Sequence, residues 1–113
     1  MRIAVTYEDG KVFQHFGRTE SFKIYDVEDG KVTSSKVIDN GGHSHESLGE
    51  VLTAEGVNVL ICGGIGGGAR EMIASRGINL VPGAEGDTDR VVEDFLAGML
   101  KNNPDCQCGH HCH

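Results

Sequence analysis

Residues 57–62, Val-Asn-Val-Leu-Ile-Cys, form an almost continuous apolar run that passes directly into the glycine-rich stretch 63–68. A short run with so little polar alternation is the pattern of a strand buried on both faces. Such a strand needs a layer on each side of its sheet, and it points to parallel neighbours joined by helical crossovers.

The flanking segments supply those layers. Ser47-Leu48-Gly49-Glu50 has the form of a capping box, and Leu48, Val51 and Leu52 fall at i, i+3 and i+4, so a short helix is predicted that stops at Gly56. Beyond the glycines, a helix over 69–76 with Met72 and Ile73 inward closes at Gly77, and a strand follows over 78–81. A last helix starts at an Asp87 or Thr88 cap and carries Val91, Val92, Phe95, Leu96, Met99 and Leu100 as a seam, until 102–105 stop it. The first third reads differently. Strand 2–7 ends at Asp9-Gly10, 11–16 is short and extended or irregular, and strands 21–27 and 31–38 meet across Asp29-Gly30, a dipeptide suited to a type I′ hairpin. The predicted order is β-β-β-α-β-α-β-α, an α/β fold with a mixed sheet flanked by helices. With 113 residues and no internal repeat, one domain over 1–101 and a Cys/His-rich tail over 102–113 are expected.

Seventeen acidic against ten basic residues give a net charge of −7, which argues against a nucleic-acid surface or an anionic membrane as partner. Met1-Arg2-Ile3-Ala4-Val5 is not a signal sequence, and no window approaches about 18 uninterrupted apolar residues, so a soluble cytoplasmic chain is expected. Three of the four cysteines, Cys106, Cys108 and Cys112, lie within seven residues and alternate with His110, His111 and His113. In a reducing compartment that interleaving favours metal ligation over disulfides. Thiolate with imidazole suits Zn²⁺, Cu(I) or iron–sulfur chemistry and does not suit Mg²⁺ or Ca²⁺. The C-x-C-x3-C spacing is not that of a zinc finger.

The loop Gly63-Gly64-Ile65-Gly66-Gly67-Gly68 sits between a buried strand and a helix N-terminus, where free backbone N–H groups and the helix dipole attract an anion. The bland alternative is glycine required only for tight packing. Gly64 to Ala69 satisfies G-x-G-x-x-A, but the loop lacks the first βαβ context of a dinucleotide site, and the absence of Gly-Lys-Ser/Thr excludes a P-loop. Cys62 ends the buried strand at the edge where open α/β sheets place ligands, although a free cysteine there is more often simply core. His43 and His45, two apart in an extended loop, would point the same way and could share a metal. His15 beside Phe16 reads equally as a packed residue, and Arg18 as an anion partner or a surface ion pair. No Ser/His/Asp set or nucleophile elbow is present, so a non-enzyme is expected.

Taken in order, Asp9-Gly10-Lys11-Val12, His15-Phe16-Gly17-Arg18, Phe22-Lys23-Ile24-Tyr25-Asp26, Gly56-Val57-Asn58-Val59-Leu60-Ile61, the 63–68 loop, Gly77-Ile78 and Asp94-Phe95-Leu96-Ala97-Gly98 carry a family resemblance. The chain resembles the dinitrogenase iron-molybdenum cofactor biosynthesis family, which includes NifX-like proteins and the carboxy-terminal part of NifB-like proteins. The resemblance implies a ribonuclease H-like α/β fold and non-catalytic binding of an anionic iron–sulfur or molybdenum-containing cluster, or its precursor, passed between cofactor-assembly proteins. On that reading the glycine loop and Arg18 receive the cluster, His15, His43, His45 and Cys62 ring it, and the tail adds a second set of ligands. Two rival expectations remain: a Zn²⁺ or Cu(I) protein acting through the tail alone, and a nucleotide-binding regulatory module using the glycine loop.

Overall fold

The computed structural model describes residues 1–39 and 45–98, with side chains described over 1–39 and 48–98. The chain opens with β1 (Arg2–Glu8), turns back as the two-residue β2 (Lys11–Val12), makes a 3-10 turn over Phe16–Arg18, and continues as β3 (Ser21–Glu28) and β4 (Lys31–Asp39). Then α1 (His45–Ala54), β5 (Val59–Ile61), α2 (Gly67–Ser75), β6 (Asn79–Val81) and α3 (Thr88–Leu96) alternate.

The two-faced burial expected of 57–62 is the centre of the molecule. Val59, Leu60 and Ile61 are all buried, and successive side chains point to opposite faces of the sheet. Val59 and Ile61 join Ile3, Val5, Tyr25 and Val27 under the α3 residues Val91 and Val92. Leu60 joins Ala4, Phe22 and Ile24 under Leu48 and Leu52 of α1 and Ile73 of α2. Hence α3 covers one face, and α1 with α2 the other. The sheet order is β4-β3-β1-β5-β6, with β2 paired to β1 off that path. β1, β5 and β6 are parallel, while β3 runs antiparallel to β1 and β4 antiparallel to β3. The expected order therefore lacked one short strand, β2. The hairpin between β3 and β4 turns on Asp29 (φ 53°) and Gly30 (φ 77°), the pair of positive φ angles a type I′ turn requires.

Several boundaries differ from expectation. α1 begins at His45, two residues before the Ser47 box, so that box lies inside the helix. α2 begins at Gly67, so Gly67 and Gly68 belong to its first turn and the loop proper is shorter. α3 starts as expected, with Asp87 accepting from the amides of Asp89 and Arg90, a cap worth about 1 kcal/mol. It ends at Leu96 because Gly98 adopts φ 75°, the left-handed conformation that terminates helices, although the apolar seam continues in the sequence. Met99, Leu100 and the tail lie outside the described residues.

Candidate functional site

The carboxyl ends of β1, β5 and β6 face one edge of the sheet, and three chain segments meet there. The first is built by the Asp9-Gly10 turn, which folds the chain back so that Phe13 pairs with the buried Thr6: the Phe13 amide donates to Thr6 O (3.0 Å), and Thr6 Oγ1 donates to Phe13 O (2.9 Å). Phe16, fully buried in the core under α1 and α2, then pulls the 3-10 turn inward, while its neighbours His15 and Arg18 stay exposed. His15 rests edge-on against Phe13, with ring centroids 6.0 Å apart.

The second segment is the glycine loop. Gly64 donates to Gln14 O (2.8 Å) and accepts from the Phe16 amide (3.0 Å), so His15 and Gly64 form a short parallel bridge. Two motifs nearly fifty residues apart are thus joined through backbone bonds. The third segment, 82–87, is tied to both. Gly83 donates to Gly63 O (3.0 Å), Ala84 to Cys62 O (2.9 Å), and Val12 to Gly86 O (2.8 Å). Gln14 fastens all three, its side-chain amide donating to Ala84 O (3.1 Å) and Val12 O (3.2 Å).

The loop glycines divide by what surrounds them. A Cβ on Gly63 would stand 2.8 Å from Gln14 Cα and closer still to its side chain, and one on Gly64 would stand 2.9 Å from Gln14 O. These two residues are glycine so that the backbones can approach. At Gly66, Gly67 and Gly68 a Cβ would meet nothing within 4 Å. Gly66 is the N-cap of α2 and offers no side chain to the first-turn amides, so Gly67, Gly68 and Ala69 present the donors of an uncapped helix start to an open face. Arg70, in the next position, directs Nε back to Ile65 O (3.4 Å).

The predicted residues are distributed as follows. His15, Ile65 and Gly63 to Gly68 are brought to one rim. Cys62 ends beneath it with no exposed surface, and burial pushes its thiol up to about 12 against the opposing pull of the Arg70 cation. A thiol held protonated in this way is a packed residue rather than a ready thiolate. Arg18 lines a groove of about 520 Å³ together with Glu8, Asp9 and Glu20. A second groove, of about 460 Å³, runs from Glu8 and Lys11 past Phe13 to His15. Arg70 is a cation that reaches the glycine loop, through Ile65 O. His45 is the first residue of α1. His43, Cys106, Cys108, His110, His111, Cys112 and His113 lie outside the described residues. Among the described residues, no three His, Cys, Asp or Glu side chains are placed to hold a metal ion, and no helix is long and apolar enough to cross a membrane.

Sequence reasoning missed Gln14 and Arg70. Arg70 was legible in principle, since a residue four beyond a glycine N-cap can fold back over the loop. Gln14 carried no signal, because its partners are remote in sequence.

The sequence profile of the family described as dinitrogenase iron-molybdenum cofactor matches residues 1–98. The uncharacterized protein MJ0580 of Methanocaldococcus jannaschii is 30% identical over 106 residues, covering 89% of this chain and 90% of that protein. Among solved structures, that of PH0822 is similar with a TM-score of 0.86 and 32% identity, over 95% of this chain and 98% of its own. The apo form of the orange protein of Desulfovibrio gigas is similar with a TM-score of 0.79 and 30% identity, over 91% and 92% of the two chains.

Proposed function

The chain belongs to the dinitrogenase iron-molybdenum cofactor family, and from that membership we propose that it is a non-catalytic carrier of an anionic iron–sulfur or molybdenum-containing cluster, or of its precursor, exchanged with cofactor-assembly proteins in the cytoplasm. The observation that carries the reading is the pairing of Gly64 with the 14–16 segment, which joins His15 to the loop that leads into the start of α2. An imidazole can ligate a metal at one side of a cluster while amide donors and a cation meet its anionic sulfur or oxygen atoms. His15, the 66–69 backbone and Arg70 are the proposed first contacts, with Arg18 a second cation. The tail, His43 and His45 would add thiolate and imidazole donors, and Zn²⁺ or Cu(I) are further ions such donors accept. The ribonuclease H-like description goes with the same proposal, and the sheet order with β3 antiparallel to β1 supports it.

Anaerobic reconstitution with ferrous iron, sulfide and molybdate, followed by metal analysis and optical spectra, tests the reading. Binding should survive truncation after Lys101 and fall about tenfold or more in His15→Ala. A protein that stays colourless and metal-free under every reconstitution refutes the proposal. Binding lost wholly on truncation assigns the metal to the tail instead, and a melting shift with nucleotides but not with metal assigns the loop to a nucleotide.

A further inference from the structure

β4 is an edge strand of nine residues, and all but Ile38 are exposed. Of the three large apolar side chains exposed among the described residues, two are on it: Val32 (40%) and Val37 (51%). The backbone directions can be worked out from the far end of the sheet. The Val27 amide donates to Met1 O, and the Met1 amine donates to Val27 O, so Val27 turns its backbone groups toward β1. By alternation Tyr25 and Lys23 do the same, and Phe22, Ile24 and Asp26 turn theirs toward β4. Their partners Ile38, Lys36 and Ser34 are therefore satisfied by β3, whereas Ser35 and Val37 direct N–H and C=O away from the sheet, as does Val32 beyond the register shift at Asp26/Val27.

The same register places the valines. Val37 stands opposite Lys23, Ser35 opposite Tyr25 and Val32 opposite Val27. Lys23, Tyr25 and Val27 are evenly spaced on one face of β3, so the shift that leaves Thr33 over makes Val37, Ser35 and Val32 evenly spaced on that face too. Ser35 is midway between two exposed valines on an open edge.

We propose that β4 is the interface of a symmetric dimer of this chain, formed by antiparallel pairing of β4 with β4 of a second copy about a two-fold axis at Ser35. Each Val37 then meets the second copy's Val32, two apolar cross-strand pairs related by the axis. The outward amides and carbonyls of the two Ser35 residues bond to each other, and the basic start of one strand, Lys31, runs beside the acidic end of the other, Asp39. A two-fold axis at Lys36 would instead oppose two lysines and separate the valines, so charge selects the register. Open strands are a hazard that proteins cover or disrupt, and a self-complementary one is satisfied by its own copy.

Sedimentation equilibrium of the full chain, in EDTA and a phosphine reductant so that neither metal nor disulfide links the Cys-rich tails, should give twice the chain mass. Val37→Pro removes an outward amide without touching the β3 ladder, and Val37→Lys sets a charge against Val32; each should weaken self-association about tenfold or more while leaving the far-ultraviolet spectrum unchanged. A wild-type chain monomeric at millimolar concentration, or a dimer that survives both substitutions, overturns the proposal.

Discussion

Gly63→Ala, compared with Gly67→Ala and Gly68→Ala, separates the two kinds of glycine in one loop. At Gly63 the added methyl would lie 2.5 Å and 2.6 Å from Gln14 Oε1 and Cδ, which can swing aside, but also 2.8 Å from Gln14 Cα, which cannot move without the strand-like bridge at His15 and Gly64. Overpacking of this kind costs about 1–3 kcal/mol. In a domain of this size each kcal/mol lowers the melting temperature by about 4–8 °C. At Gly67 and Gly68 the methyl enters open space inside a helix, where replacing glycine by alanine stabilises by roughly 0.4–1 kcal/mol. Thermal and urea denaturation of the three variants therefore should give one large loss and two small gains. Adding Gln14→Ala to Gly63→Ala should recover only part of the loss, since the contact to Cα remains. If Gly63→Ala is as stable as the parent, or if all three variants lose stability alike, the division of the loop is wrong. Cargo binding supplies the converse: Gly67→Ala and Gly68→Ala should weaken it despite their stability, because the methyl stands where an anion would approach the first-turn amides.

Gln14→Ala alone should lower stability by about 1–2 kcal/mol in urea titrations, as two side-chain hydrogen bonds to Ala84 and Val12 are lost. Tyr25→Phe should cost about 1–2 kcal/mol, because the Tyr25 hydroxyl donates to Asp89 Oδ1 (2.5 Å) and lies 3.0 Å from Thr88 Oγ1 where α3 begins. Hydrogen bonds from Lys23 and Tyr25 hold the Asp89 carboxyl below its ordinary 3.8, so its contribution is present above that pH and is lost as pH falls through the depressed value; melting in acid should show this dependence weakened in Asp89→Asn. Cys62 has the opposite sign: a thiol raised from 9.0 to about 12 by burial contributes below pH 9 and loses its contribution as pH rises toward 12. Alkaline melting curves of Cys62→Ala should be flatter over that interval, and Cys62 should resist alkylation until the chain unfolds.

What the sequence revealed was whatever short-range periodicity and turn chemistry encode. The apolar run around Val59-Leu60-Ile61 announces burial on both faces, Asp29-Gly30 announces its hairpin, and Asp87 announces its helix. Contacts between distant segments were not legible. Nothing local to Gly63 says that Gln14 will lie over it, and nothing local to Gln14 says that its amide will reach Ala84, seventy residues on. Edge position was hidden in the same way. Val32 and Val37 read as ordinary strand residues, and only the sheet order makes them exposed. The end of α3 was hidden for a different reason: helical spacing continues in the sequence past Leu96, but Gly98 adopts the left-handed conformation that ends the helix, and Met99 and Leu100 lie outside the described residues.

The seam of three segments also limits which groups can meet a ligand. Gly64 spends its amide on the Gln14 carbonyl, so that N–H is not available to an anion, whereas the first-turn amides of α2 farther along have no side-chain cap. Arg70 folds back toward Ile65 O beside that turn. Glu8, Asp9 and Glu20 line the same groove as Arg18, so that cation raises no broad basic field there. In a chain of net charge −7, contact with an anion must therefore be won at short range by oriented amides rather than by a long-range basic field. Position matters more than charge count under that constraint, and the residue that sets position is Gln14, through bonds to both neighbouring segments.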